Sequence, residues 1–505
     1  MKKLNYFLIA VLTVFAFSCD NETDPPPPTV IDAPTITAPS VATTAEVGKV
    51  VTMTFGVNAP GTVAEVTVAT TGGTAVIAAT TSIIGETTGN VDVTFTAPLT
   101  EGSETVTLTV KDGQSTPKTT DGTAPVTVTL GPTSDTDLLV TQFASAPVFD
   151  GEIDDMWNTA QQLVSSVVVP SNLGNRNTYY NEDGIGEDAL DIFEAYEGEE
   201  NAFTMRAGTF GSDIYFLIEW DDAEDSKDRQ SWYFDDVAKR WKGQHKYAND
   251  VNDKYYEDKF AFLFPIGTVD NFSASTCYAT CHSSGGVITN PKDKHTRHYL
   301  KTDGQKIDMW HWKRVRDTYL GQVDDQKIVF KPEPWTSSSN GRSGDATGSG
   351  GYANNAQDLT ITGTADVVSV PKYVIPGATD YFWIDPDQIA DGTAKLITEV
   401  DENGVLTLDD ASTIDPADGG FEDGTGNKRM PSILTSEFTE GRGDISIKYM
   451  HTGTGWVCEV KRALNTGDAD DVVFAPATDL DFGFAIFNNA AIGHAIKPGL
   501  KLKWE

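Results

Sequence analysis

Between Ile31 and Gly131 apolar and polar residues alternate with a period of two. Val51, Met53, Phe55 and Val57 stand against threonines, and the rhythm returns at Val106, Leu108, Val110 and at Val126, Val128, Leu130. Such alternation sends every second side chain to one face of a half-buried strand. Ala59-Pro60-Gly61, Gly72-Gly73 and Lys111-Asp112-Gly113 supply turns between the runs. Regular short strands predict an all-β sandwich of immunoglobulin-like type over residues 31–132. The stretch has no cysteine, histidine or tryptophan, so it offers neither an inter-sheet disulfide nor a catalytic group, and it reads as a spacer.

The pattern changes after a short linker, Pro132 to Asp137. Ile214 to Trp220 is apolar on both faces and predicts a central strand, and Lys259–Phe264, Trp456–Leu464, Phe482–Phe487 and Leu500–Trp504 predict further strands. Helical signals are few, the best being Asp154 to Leu163. Ser337 to Gly351 is rich in Ser and Gly and predicts a long mobile loop, and Glu182 to Glu200 an acidic, solvated insertion. Residues 138–505 are therefore expected to form a large, loop-decorated β-sandwich, and the chain as a whole to be all-β.

Composition narrows the partners. The 505 residues carry 74 acidic against 37 basic groups, a formal charge of -37, which repels phosphate backbones and excludes nucleic acid. The same field suits cationic ligands, metal ions or a basic redox partner, and equally a plain soluble exterior. There is no Gly-x-Ser-x-Gly elbow, His-Glu-x-x-His, phosphate loop or dinucleotide fingerprint, so nothing marks the chain as an enzyme by itself. At the N-terminus Lys2 and Lys3 precede an apolar run from Leu4 to Phe17, the pattern of a signal peptide. The run ends at Ala16-Phe17-Ser18-Cys19, which resembles a bacterial lipobox. The resemblance implies a signal peptide over 1–18, lipidation of Cys19, and a tether over 19–30 stiffened by Pro25 to Pro28. Asp20, Glu22 and Asp24 resemble a surface-export signal. The expected location is the outer membrane, facing the periplasm or the cell surface, with the N-terminal lipid in the membrane.

The densest chemistry is Cys277-Tyr-Ala-Thr-Cys281-His282. Two close thiols can add to the vinyl groups of a haem while the following imidazole ligates its iron, although the usual spacing has two intervening residues and this one has three. The residues leave two alternatives open: a local Cys277–Cys281 disulfide, and zinc held by Cys277, Cys281, His282 and either His295 or His298. Non-covalent haem on His282 with the cysteines paired is a mixed outcome.

Several segments, in order, resemble the haem-binding subunit of ethylbenzene dehydrogenase and its cytochrome-like relatives. They are Phe149-Asp-Gly-Glu-Ile-Asp-Asp-Met-Trp157, Asp213-Ile-Tyr-Phe-Leu-Ile-Glu-Trp-Asp-Asp222, Glu257-Asp-Lys-Phe-Ala-Phe-Leu-Phe-Pro265, Ile307-Asp-Met-Trp-His-Trp-Lys313, Trp456-Val-Cys-Glu-Val-Lys-Arg462 and Phe484-Ala-Ile-Phe-Asn-Asn489. The resemblance covers nearly all of 138–505 and none of the first 130 residues. It implies a sandwich holding one b-type haem between methionine and lysine ligands and passing electrons between a molybdenum enzyme and an outside partner. Where that family offers its methionine, this chain has Cys277, Cys281 and His282, which implies covalent, c-type attachment, with b-type binding as the alternative. Where it offers its lysine, this chain has Gly493-His-Ala-Ile-Lys497. Neutral imidazole ligates iron better than an ammonium, so His494 is the expected second ligand and Lys497 the fallback. Trp310, Trp312 and Arg462 are expected around the haem, and a molybdenum oxidoreductase or another cytochrome is the implied redox partner.

Among the other residues, His311 alternates with Trp310 and Trp312, so a strand would place it with Lys313 on the opposite face, either packed or lining the haem edge. Cys458 alternates with Trp456 and Val460 and reads as a buried free thiol. A rival function of another class is a surface glycan-binding lipoprotein with a structural disulfide, whose sandwich stacks tryptophans on sugar rings.

Overall fold

The computed structural model describes residues 30–79, 82–169, 196–244, 255–280, 298–332, 341–345, 349–422, 428–491 and 493–505. Nearly all of its regular structure is strand, with two short α-helices, so the chain is all-β. It forms two compact units, the first holding Val50–Ala97 and Ser103–Thr127, the second Val128–Glu505.

In the first unit one four-stranded sheet runs Thr35–Thr37, Val50–Asn58, Thr88–Thr96, Thr74–Ile77, and a second runs Thr43–Glu46, Thr119–Thr129, Gly102–Asp112, Val63–Thr70. Met53, Phe55 and Val57 point inward with Val106, Leu108, Val110, Val126 and Val128, as the alternation requires. Leu130 departs from it and is exposed, because its strand ends at Thr129.

The second unit is built on one large mixed sheet. Its strands are β1 (Asp137–Gln142), β2 (Leu163–Val168), β3 (Glu200–Phe210), β4 (Asp213–Asp221), β5 (Lys259–Ile266), β6 (Lys306–Lys313), β7 (Asp324–Val329), β8 (Arg342–Gly344), β9 (Ser446–His451), β10 (Gly455–Ala463), β11 (Leu480–Phe487) and β12 (Ala495–Trp504). They run in the order β8-β7-β6-β5-β11-β12-β2-β3-β4-β10-β9. Between β12 and β2 the ladder is reduced to the pair Val168–Ile496, and β1 lies parallel to both β12 and β3. Here the sheet folds over on itself, so the β8-to-β12 half faces the β2-to-β9 half. Rings fill the space between: Phe216 on β4 lies 5.4 Å from Phe262 on β5 and 5.7 Å from Trp310 on β6. Trp220 stacks at 5.9 Å on Trp456 and meets Trp312 edge-on at 6.2 Å. Strand β4 reads as apolar on both faces because Phe216, Ile218 and Trp220 join this core while Tyr215 and Leu217 join a second cluster with Phe143, Trp157 and Val457.

The opening Phe149 to Trp157 segment has a structural task. Asp154 caps the 3-10 turn Asp155–Thr159 by accepting from the Met156 amide. The turn presents the Trp157 indole N–H to Glu459 Oε1 on β10 at 2.9 Å, while Glu459 Oε2 accepts from the amides of Asp150 and Gly151 at 2.9 and 2.8 Å. One carboxylate thus serves three donors. Glu459→Ala strands all three and is expected to cost about 3 kcal/mol in urea unfolding followed by tryptophan fluorescence. Glu459→Gln, which keeps an acceptor for the indole, is expected to lose less, and equal losses would mean that the carboxylate is not the organising group.

Ser337 to Gly351 differs from the predicted mobile loop. Its described part contributes β8 and the start of a strand, Ser349–Asn354, paired with Ile433–Thr439. A Cβ at Gly351 would meet Phe438 Cε1 at 1.8 Å, so glycine is there for close approach of two strands. A separate small lobe packs Phe234 and Trp241 with Ile361, Val370, Ile397, Leu406 and Leu408, an element that the strand pattern does not announce.

Candidate functional site

The two faces of β5 differ in kind. Phe260, Phe262 and Phe264 enter the aromatic core, while alternation turns Lys259, Ala261 and Leu263 to the opposite face. Lateral pairing continues the outward face: Lys313, His311 and Met309 on β6, and Phe487, Ala485 and Gly483 on β11. The outer face of a two-layer sandwich is normally wet and polar. Here it is covered, with Lys259, Lys313 and His311 only 2%, 1% and 5% exposed.

Part of the cover is helix α1 (Phe272–Ser275) and the 3-10 turn Thr276–Thr280, which carries Cys277. Thr276 stands over Gly483, where an added Cβ would meet the Thr276 Cβ at 2.8 Å. Ala261, Gly483 and Ala485 form a floor of small side chains, bounded by Phe487. His494, just before β12, stacks on Phe487 at 4.6 Å and 22°, and the His311 ring lies against Phe487 at 5.6 Å.

Charges surround this floor. Lys259 Nζ sits 4.1 Å from the Phe487 centroid and 4.7 Å from that of Tyr256, and donates to the Ala491 carbonyl at 3.3 Å. Burial first, then the nearby Arg316, holds this ammonium well below the usual lysine range. Lys313 pairs with Asp324 at 2.7 Å, and Arg316 with Glu257 at 2.6 Å. Burial would raise Glu257, but Arg316 and Arg229 keep it ionised. His311 is held neutral by burial and then by Lys313, and neither of its ring nitrogens has a hydrogen-bond partner among the described residues. A buried imidazole with two bare nitrogens beside a floor of small residues can accept a metal or a flat ligand.

A second polar assembly lies at the core face of β6. Arg462 on β10, 1% exposed, donates from Nη1 to Asp308 Oδ2 at 2.9 Å and from Nη2 to the Val472 carbonyl, with its guanidinium 4.8 Å from the Trp310 centroid. Asp308, Asp325 and Asp471 bring one carboxylate oxygen each within 4.8 Å of one another. Burial, then Asp471, pushes neighbouring Asp345 up to about 8.

Of the residues picked from sequence, His494 and the turn bearing Cys277 come to the same outer face. Cys19, Cys281, His282 and His295 lie outside the described residues, as does most of the acidic insertion. Lys497 pairs with Phe484 and so takes the other side of β12 from His494. Trp310 and Trp312 turn to the core face because alternation on β6 separates them from His311, and Arg462 on β10 lies against Trp310 and Phe474 on that same core side. His298 donates its amide to the Thr280 carbonyl at 2.9 Å. Cys458 is a free, fully buried thiol, raised well above its usual range chiefly by burial. Lys259 and the small floor escaped notice, although Lys-Phe-Ala-Phe and Phe-Gly-Phe-Ala alternate aromatic and small residues in plain view.

A family model described as ethylbenzene dehydrogenase matches residues 154–497. No curated protein matches the chain. Among solved structures, domains 4 and 5 of the S-layer protein SbsC are 25% identical, over 20% of this chain and 52% of that one, with a TM-score of 0.15. This chain thus spans about half of that structure. The Bacteroides ovatus GH5 xyloglucanase in complex with a XXXG heptasaccharide is 15% identical over 32% of this chain and 31% of its own, with a TM-score of 0.14. Titin domains z1z2 are 14% identical over 38% and 89%, with a TM-score of 0.17.

Proposed function

The chain belongs to the ethylbenzene dehydrogenase family, and from that premise we propose that it is an exported electron-transfer protein that holds one haem on the outer face of β5, β6, β11 and β12. The observation that carries the reading is the convergence on this face of the Cys277 turn, His494 and the partnerless His311 over a floor of small residues. Haem there would be held by thioethers to Cys277 and Cys281, with His282 and His494 as the residues offered to its iron, and would supply a one-electron ferrous–ferric couple. Phe487 fixes the plane of the His494 ring by stacking. The cover over Lys259, His311 and Lys313 excludes water and lowers the local dielectric, which with ligand identity sets a redox potential. Lys497, on the other side of its strand, is the weaker choice for second ligand.

The N-terminal pattern extends the proposal to a lipoprotein anchored at Cys19 in the outer membrane, with residues 31–132 as spacer and 138–505 as haem domain. Its partner would be a redox protein, a molybdenum oxidoreductase or another cytochrome. The chain itself turns over no substrate in this reading. Glycan binding gains nothing from the geometry, since no tryptophan among the described residues is exposed.

His494→Ala tests the site. The reduced protein is expected to lose the low-spin spectrum of a six-coordinate haem while keeping its haem. An unchanged spectrum would remove His494 from the iron and make His311→Leu the next variant to compare.

A further inference from the structure

We propose that Asp308, Asp325, Asp345 and Asp471 form a calcium site at the core face of β6 and β7, independent of the haem reading. The three oxygens of Asp308, Asp325 and Asp471 that lie within 4.8 Å of one another already outline a cation-sized space. A second observation comes from Asp345, which follows β8. It is 3% exposed, neither of its oxygens has a hydrogen-bond partner among the described residues, its amide donates to the Asp325 carbonyl at 3.3 Å, and its carboxyl faces Asp471.

The hydrogen bonds divide these carboxylates as a metal site would. Asp308 gives Oδ2 to Arg462 and to the Val472 amide, each at 2.9 Å, and keeps Oδ1 bare. Asp471 gives Oδ2 to the Thr466 hydroxyl and keeps Oδ1 bare. Asp325, fully buried, has no hydrogen bond to either oxygen among the described residues, Oδ2 lying 4.0 Å from the Arg462 guanidinium. Protein donors thus orient one oxygen of a ligand and leave the other free to coordinate. Formal charge points the same way: four carboxylates stand against one guanidinium, that of Arg462. The nearest lysines are taken, Lys306 and Lys327 both pairing with Asp470. A buried excess of negative charge is costly without a counterion. The donors are all oxygen, with no histidine or thiol among them, and several carboxylates drawn from two strands and two connecting segments suit calcium better than magnesium, which keeps its own waters, or zinc. The ion would tie the loop bearing Asp471 to β6, β7 and the segment after β8.

The test uses the full chain, chelated, desalted and then titrated with calcium alone. Calorimetry is expected to show one site per chain, and calcium at about 1 mM to raise the tryptophan-monitored melting midpoint by about 3 °C. Asp325→Asn removes a ligand and a repelling charge, so it is expected to melt no lower than the parent in chelator and to lose the calcium response. The exposed-carboxylate variant Asp410→Asn is expected to keep that response. No calcium binding by the parent, which would leave the carboxylates sharing protons, overturns the proposal. So does a full response in Asp325→Asn, or an equal response to magnesium.

Discussion

Protein purified from a host that attaches haem to exported chains is expected to show a Soret band, and its haem to stay with the polypeptide through acid-acetone extraction. The paired change Cys277→Ser and Cys281→Ser is expected to release nearly all of that haem into the solvent. The reasoning is chemical: thioether bonds survive denaturation, whereas a haem held by iron ligation and burial leaves when the fold is lost. If the parent's haem extracts freely, the cysteines pair with each other and the cofactor is of b type. If no Soret band appears at all, the cytochrome reading fails, and the buried face beside His311 needs another occupant.

Arg462→Met is expected to destabilise the second unit by about 3–5 kcal/mol, measured in urea by tryptophan fluorescence in calcium-free buffer. All ten tryptophans lie beyond Phe149, so this signal reports the second unit alone. The substitution preserves an apolar stem beneath Trp310 and Phe474 but takes away the cation facing Asp308, and it leaves the Val472 carbonyl without its donor. Arg462→Lys restores the charge without the planar fork and is expected to recover only part of the loss. A loss below about 1 kcal/mol would show that Asp308 is neutralised by something other than this guanidinium.

Much of the architecture was legible because period-two alternation is a local property. The runs at Val51 and Val106 became inward-facing strands, and Ile214 to Trp220 became a central strand buried on both sides. Separation of His311 and Lys313 from Trp310 and Trp312 followed from the same alternation. What sequence did not reveal depends on contacts between distant segments. Asp308 and Asp325 look like unremarkable acidic residues on their strands. Only folding brings them to Asp345 and to Asp471, which lies 163 residues beyond Asp308 (471 minus 308). The family resemblance placed Arg462 around a haem, whereas alternation on β10 and the packing of Phe474 commit it to the core. The Ser and Gly composition of 337–351 suggested looseness, whereas Gly350 and Gly351 are where a strand meets Phe438 and Glu437 at contact distance.

The parallel pairing of β1 with β12 joins Asp137 to Lys501 and Val140 to Trp504, the first strand of the second unit to its last. As the chain is made, every segment between them is available before this pair can form. Closing a loop of that length has an entropic cost that local contacts do not share, and such non-local topologies fold slowly. The sheet therefore cannot close at this seam until β12 has been made and has met β1.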